Sequence, residues 1–161
     1  MIELRVLTSG DWRLWRELRL AALAEAPHAF GSRLADWQGD GDREERWRAR
    51  LEIAGALNLV ATLDGGPAGM ASGVPGAERG VVELISMWIA PHARGRGVGD
   101  ALVQEVVRWG TQTGAHTLRL DVRQANHVAE ALYRRNGFRR SGRTTLEDGV
   151  LEHELVRPLG G

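Results

Sequence analysis

The sequence predicts a single α/β domain of the α+β kind, built on a mixed sheet. Three observations point there. Apolar residues recur with a period of two in some segments and near 3.6 in others, and the two kinds alternate along the chain. A glycine-rich turn, Gly95 to Gly99, joins an apolar run to an amphipathic one. Residues 1–161 contain no repeat, low-complexity tract or linker, so one core suffices.

The elements follow in order. Ile2, Leu4 and Val6 alternate as an opening strand. Thr8, Ser9 or Asp11 can cap the next helix, whose apolar positions are Trp12, Trp15, Leu18, Leu20 and Leu23 and which Pro27 stops. Residues 29–42 read as loop or short helix, acidic toward the end. A second helix over 42–54 places Trp47 and Leu51 one turn apart. Strands follow at 57–63, 68–74 and 81–89, with Gly65-Gly66-Pro67 as the turn between the first two. The helix at 97–109 carries Val98, Leu102, Val106 and Trp109 on one face. A strand at 117–122 leads to a helix at 126–136, stopped by Asn136-Gly137. Strands at 138–144 and 150–156 close the chain.

Composition excludes several classes. Twenty-one basic residues balance 21 acidic ones, which argues against a nucleic-acid or membrane-surface partner. All the basic residues are arginine, so the chain has no lysine of its own to acylate. With no cysteine there is no disulfide, thiolate metal site or cysteine nucleophile. The five histidines show no metal-ligand spacing, and no metal is expected. The start of the chain reads as a strand and not a leader, and no apolar run approaches the roughly 20 residues of a spanning helix. The expectation is a cytoplasmic protein without a membrane partner.

The segment Pro91-His92-Ala93-Arg94-Gly95-Arg96-Gly97-Val98-Gly99 carries the chemistry. A glycine-rich strand-to-helix turn exposes successive backbone N–H groups at the positive end of a helix dipole. Arg94 and Arg96 add fixed charge and bidentate donors. The pattern suits a diphosphate. It is not a Walker A loop, because Asp100-Ala101 stands where Lys-Ser/Thr is needed. It is not a Rossmann fingerprint either, because Asp100 takes the place of the third glycine.

What remains is Arg94-x-x-Gly97-x-Gly99 after Ile89-Ala90-Pro91, which resembles the acyl-CoA loop of the GCN5-related N-acetyltransferases (GNAT). Downstream, Asn126-His127-Val128-Ala129-Glu130-Ala131-Leu132-Tyr133-Arg134-Arg135-Asn136-Gly137-Phe138 matches that family's second signature, N-x-x-A-x-x-L-Y-x-x-x-G-F, at every specified position. The resemblance is strong from residue 81 to 143 and rests on element order elsewhere. It implies the GNAT fold: a strongly twisted, mixed, mostly antiparallel sheet with helices on both faces.

The resemblance also implies roles. Acetyl-CoA is the expected acyl donor. Gly95, Arg96, Gly97, Val98, Gly99 and Asp100 would hold its pyrophosphate together with Arg94. Backbone groups of Met87, Trp88 and Ile89 would pair with its pantetheine amides, beside a bulge that splays two strands. Asn126 would touch it near the loop, and it also suits a helix N-cap. Asp100 departs from the usual Lys, Arg or Ser. Tyr133, the only tyrosine, falls where the family places its general acid. A phenol near pKa 10 giving a proton to a thiolate near 8.5 works uphill by about 2 kcal/mol. An alkyl ammonium at pH 7 needs about 4–5 kcal/mol to lose its proton, so a base is required. Glu83 is the leading candidate and Asp121 the second. The expected activity is N-acetylation of a primary amine on a small molecule. The alternatives are acetylation of a peptide or protein N-terminus, or a non-catalytic acyl-CoA-binding module. Ala29-Phe30-Gly31-Ser32 is similar to a segment of some small-molecule acetyltransferases. Asp36, Asp40, Asp42, Glu44 and Glu45 are candidates to attract a cationic amine, and Trp37 and Trp47 to line its pocket. The family often forms homodimers through sheet edges or C-terminal strands.

Overall fold

A computed structural model of the chain describes residues 1–27 and 33–160. Among these residues seven strands form one sheet: β1 (Ile2–Val6), β2 (Leu57–Leu63), β3 (Gly66–Pro75), β4 (Val81–Ile89), β5 (Thr117–Arg123), β6 (Arg139–Glu147) and β7 (Val150–Pro158). Their spatial order is β1-β2-β3-β4-β5-β7-β6. Every neighbouring pair is antiparallel except β4 and β5, which run parallel. Among the described residues the α-helices are α1 (Trp12–Glu25), α2 (Glu44–Leu51), α3 (Val98–Gln112) and α4 (His127–Arg135).

The strands' alternation sorts the core into two layers. Leu59 and Ala61 of β2 pack in one cluster with Leu102, Val103 and Val106 of α3. Val60, between them, packs with Trp15, Leu18 and Leu23 of α1 and Trp47 and Leu51 of α2. The sheet thus carries α3 on one face and α1 with α2 on the other, as expected. The same alternation assigns the polar residues. Val82 and Leu84 of β4, and Leu118, Leu120 and Val122 of β5, belong to the α3 side. Glu83, Arg119 and Asp121 therefore face the side of α1 and α2.

Several boundaries differ from expectation. The β2–β3 turn is Asp64-Gly65, not Gly65-Gly66-Pro67, with φ of 52° and 90°. Two consecutive positive φ values make the tight turn whose twist suits a two-residue hairpin. Pro67 lies inside β3, at an irregularity in the β2–β3 register where a missing N–H is tolerated. Asp148-Gly149, at φ 50° and 76°, repeats the device and lets β6 and β7 run longer than expected. The second helix is shorter than expected, beginning at Glu44 after an extended Arg43. Residues 34–37 and 39–41 are single 3₁₀ turns. The Ala29-Phe30-Gly31-Ser32 segment lies outside the described residues. No helix among the described residues is long and apolar enough to cross a membrane.

Candidate active site

The site begins with a fault in β4. Met70 of β3 pairs with Trp88, whereas Ser72 pairs with Ile85, so two residues of β4 oppose Ala71. Ser86 sits in the extra position at φ 56°, a left-handed conformation rare outside glycine. Beyond it the parallel partners separate. The pairs run from Val81 with Thr117 to Glu83 with Arg119, and the β4–β5 register goes no further among the described residues. The expected splay is present, and it opens a cleft of about 810 Å³ between the two strands.

One wall of the cleft is residues 84–89 of β4; the other includes residues 120–123 of β5. Its end is the glycine-rich loop. Gly97 caps α3 at φ 86° and Gly95 turns at φ 74°, conformations that a side chain would strain. The first bond of α3 runs from Ala101 N–H to the Gly97 carbonyl, at 3.1 Å. The N–H groups of Val98 and Gly99 consequently have no acceptor within the helix, whereas that of Asp100 turns to its own carboxylate. Gly99 also brings α3 against α4, because a Cβ there would stand 3.0 Å from Leu132.

Two arginines at this end are held by carboxylates. Arg94 donates to both Glu25 oxygens at 2.8 and 2.9 Å, and Glu25 also accepts the Trp88 indole N–H at 2.9 Å. The indole bond first, and then Arg94, holds Glu25 below the usual carboxylate range. Arg135 donates to both oxygens of Asp100 at 2.9 and 3.1 Å, and the Asn136 amide adds a third bond at 2.8 Å. These partners, Arg135 foremost, depress Asp100. The unusual acid in the loop thus has its own counter-ion. Arg135 and Glu25, neither singled out from sequence, both line the cleft. Arg96 does not line it; it lies 3.9 Å from Asp64 of the β2–β3 turn. Asn126 caps α4, its oxygen accepting the Ala129 N–H at 3.2 Å, and its NH₂ remains as the group to offer a ligand.

Tyr133 lines the same cleft and is only 6% exposed, packed edge-on to Phe138. Burial pushes its hydroxyl above the ordinary phenol range. Glu83 is not in this cleft. It lines a second pocket of about 520 Å³ on the α1–α2 side of the sheet. Both pockets share Leu84, Ile85, Ser86, Leu120 and Asp121 as a common wall. Asp121 thus belongs to both, Tyr133 to the first and Glu83 to the second.

The second pocket is assembled from distant segments. Arg119 lies 3.1 Å from Glu83, 2.7 Å from Asp121 and 2.8 Å from Glu154. Glu147 and Glu152 lie on the same pocket wall as Glu83 and Asp121. Glu152 is raised above the ordinary range by burial first, then by the charges of Glu147 and Asp121. Trp15, Trp37 and Trp47 form the apolar wall. Asp36, Asp40, Asp42, Glu44 and Glu45 do not line this pocket; Asp42 binds Arg16 and the Trp47 indole, and Glu44 pairs with Arg48. No cluster of metal-ligating side chains is present among the described residues.

The Acetyltransferase (GNAT) family model matches residues 15–138. The chain belongs to the GNAT acetyltransferase family. An aminoglycoside N(6′)-acetyltransferase of Stenotrophomonas maltophilia is 29% identical over 147 residues, covering 87% of this chain and 88% of that one. A GCN5-related N-acetyltransferase structure from Kribbella flavida, 26% identical, superposes with a TM-score of 0.76 over 98% of both chains. An N-acetyltransferase of Thermoplasma acidophilum, solved in complex with coenzyme A, shares the fold at 20% identity and TM-score 0.75, over 98% of this chain and 99% of that one. The chain is thus an acetyltransferase enzyme, and the reading as a non-catalytic module falls away.

Proposed function

We propose that the enzyme transfers an acetyl group from acetyl-CoA to a primary amine of a small molecule, by direct attack of the amine on the thioester. The observation that carries this is the shared wall: two pockets on opposite sides of a split sheet meet at residues 84–86 and 120–121. One suits a long donor and the other a compact acceptor.

The residues present fit coenzyme A. The start of α3 offers unspent N–H groups where a diphosphate would lie, in a turn that left-handed glycines keep open. Val98 and Gly99 present main chain, Arg94 presents charge, and Arg135 neutralises the Asp100 carboxylate beside them. Beyond the bulge, Met87, Trp88 and Ile89 line the cleft as an edge to which an extended amide chain can add. Acetyl-CoA supplies an activated acetyl group on a thiol leaving group.

This chain's residues then manage protons. Asp121 and Glu83 flank the shared wall from the acceptor side, and one of them accepts the amine's proton, directly or through water. Tyr133, kept protonated by burial, donates toward the sulfur. Its raised pKa makes that transfer steeper than for a free phenol. The thiolate is a good leaving group in its own right, so Tyr133 assists departure and does not gate it. Thiol release from acetyl-CoA, followed across polyamines, aminoglycosides, amino acids and N-terminal peptides, tests the reading. Release with small amines supports it. Release with peptides alone, or acetyl-CoA binding with no release, overturns it.

A further inference from the structure

The second pocket is bipolar, and its positive end has no role in the chemistry above. Arg50 reaches out of α2 to the Asn58 oxygen at 3.0 Å and to the Ser72 and Ser86 hydroxyls, each at 3.1 Å. All three are neutral oxygens, and Arg50 has no carboxylate partner among the described residues. The guanidinium also lies over the Trp15 ring, 5.0 Å from its centroid. Arg19 lines the same pocket close enough for the two like charges to repel. Burial pulls both down to about 10, and in Arg19 the charge of Arg50 adds to it. A buried cation held by neutral oxygens is costly, and a counter-anion offsets that cost.

The opposite end is acidic. Glu83, Asp121, Glu147 and Glu152 line it around Arg119, and Arg123 of the adjoining cleft acts on Glu152. A plain polycation would satisfy that end and meet repulsion at the other. The volume, about 520 Å³, falls within the roughly 300–1,000 Å³ of small-ligand sites.

We propose that the acceptor is a small amino carboxylate, with its anionic group at Arg50 and Arg19 and its amine directed at Glu83 and Asp121. This rests on the acetyl-transfer reading and names the substrate class for it. Arg50 touches Ser86 at the bulge, so the carboxylate is anchored beside the point where the two pockets meet.

The test is thiol release from saturating acetyl-CoA with a ladder of ω-amino carboxylates and their matched carboxamides. With three or more methylenes between the groups, the ω series keeps amine basicity close across each pair, and comparison is made there. At the best chain length the carboxylate exceeds its carboxamide in kcat/KM by on the order of 10- to 100-fold, mainly through KM. Arg50→Gln, which can still donate to neutral oxygens, brings that ratio toward one, and Arg50→Lys retains part of it. Where Arg50→Gln melts early, the wild-type ratio and the lysine variant decide. Carboxamides or unbranched polyamines used as well as the carboxylates would overturn this proposal while leaving acetyl transfer standing. No thiol release above the amine-free background with any amine would remove both.

Discussion

The larger cleft and the second pocket share a wall and differ in what faces the ligand. In the cleft the decisive groups are main chain: the start of α3, the two left-handed glycines, and the strand edge after the bulge. At its loop end the charged side chains come as internal pairs, Arg94 with Glu25 and Arg135 with Asp100. In the second pocket the decisive groups are side chains from α1, α2, β4, β5, β6 and β7. Charge there is segregated, with Arg119 among carboxylates and Arg50 among neutral oxygens. A backbone cradle suits one invariable ligand, because N–H groups do not change when side chains do. A wall of side chains from six elements suits a ligand that differs from one family member to the next.

That contrast can be broken first at the acceptor side. Glu83→Gln and Asp121→Asn separate the candidate bases. The true base loses on the order of 10³-fold in kcat/KM near neutral pH, together with the acid limb of the pH–rate profile. The other variant keeps that limb. Affinity for coenzyme A is unmoved in Glu83→Gln, since Glu83 lines only the second pocket; a large change in it would dissolve the division between the sites.

Tyr133→Phe comes next, with a loss on the order of 10²-fold in turnover and little change in donor binding. Since burial holds the hydroxyl above the ordinary phenol range, the wild-type rate shows no decline from Tyr133 ionisation below about pH 10. A rate within a factor of a few of wild type would remove Tyr133 from the chemistry.

A smaller effect tests the internal pairs of the cleft. Arg135→Gln leaves the Asp100 charge beside the diphosphate without its partner. Calorimetry should find coenzyme A binding weakened by about tenfold. Adding Asp100→Asn should restore most of it. Failure of that rescue would mean that Arg135 contacts the donor in its own right, not as the counter-ion of Asp100.

The smallest effect is on stability. Arg140 first, and then Arg134, holds the Glu130 carboxyl down at about 2. A depressed carboxylate stabilises the fold above its unfolded pKa, near 4.3, and that contribution is lost as pH falls through about 2. Melting curves of Glu130→Gln should therefore lie below wild type at pH 6 and converge with it toward pH 2. A constant gap would show packing, not charge, at this position.

Legibility followed the same division. The glycine loop and the α4 signature are contiguous motifs, so the resemblance they carry sufficed to expect Gly97, Gly99, Asn126 and Tyr133 around one ligand, and all four line one cleft. The bulge at Ser86 was expected only by resemblance, because one left-handed residue leaves no periodic trace. Arg135 lay within a recognised motif yet at an unspecified position, and only the Asp100 contact reveals it. Arg50 and Glu152 were invisible. Arg50 reads as one more arginine on a polar helix, and Glu152 as an alternating strand residue; tertiary folding alone brings both to Glu83. The Asp64-Gly65 turn was legible in principle, because Asp-Gly between apolar runs is the two-residue hairpin pattern. The acidic residues 36–45 do not line the second pocket, and spacing could not show that Asp42 is taken by Arg16, 26 residues away on α1.

The central claim is that main-chain N–H groups at the start of α3 bind the diphosphate of the donor. Titration calorimetry of the folded protein with coenzyme A and with pantetheine, which lacks the diphosphate and the nucleotide attached to it, tests it most directly, with adenosine 3′-phosphate as the control for the nucleotide alone. The account predicts one-to-one uptake of coenzyme A and binding of pantetheine weaker by about 100-fold or more. Equal affinity for the two, or no uptake of coenzyme A at millimolar concentration, would contradict it.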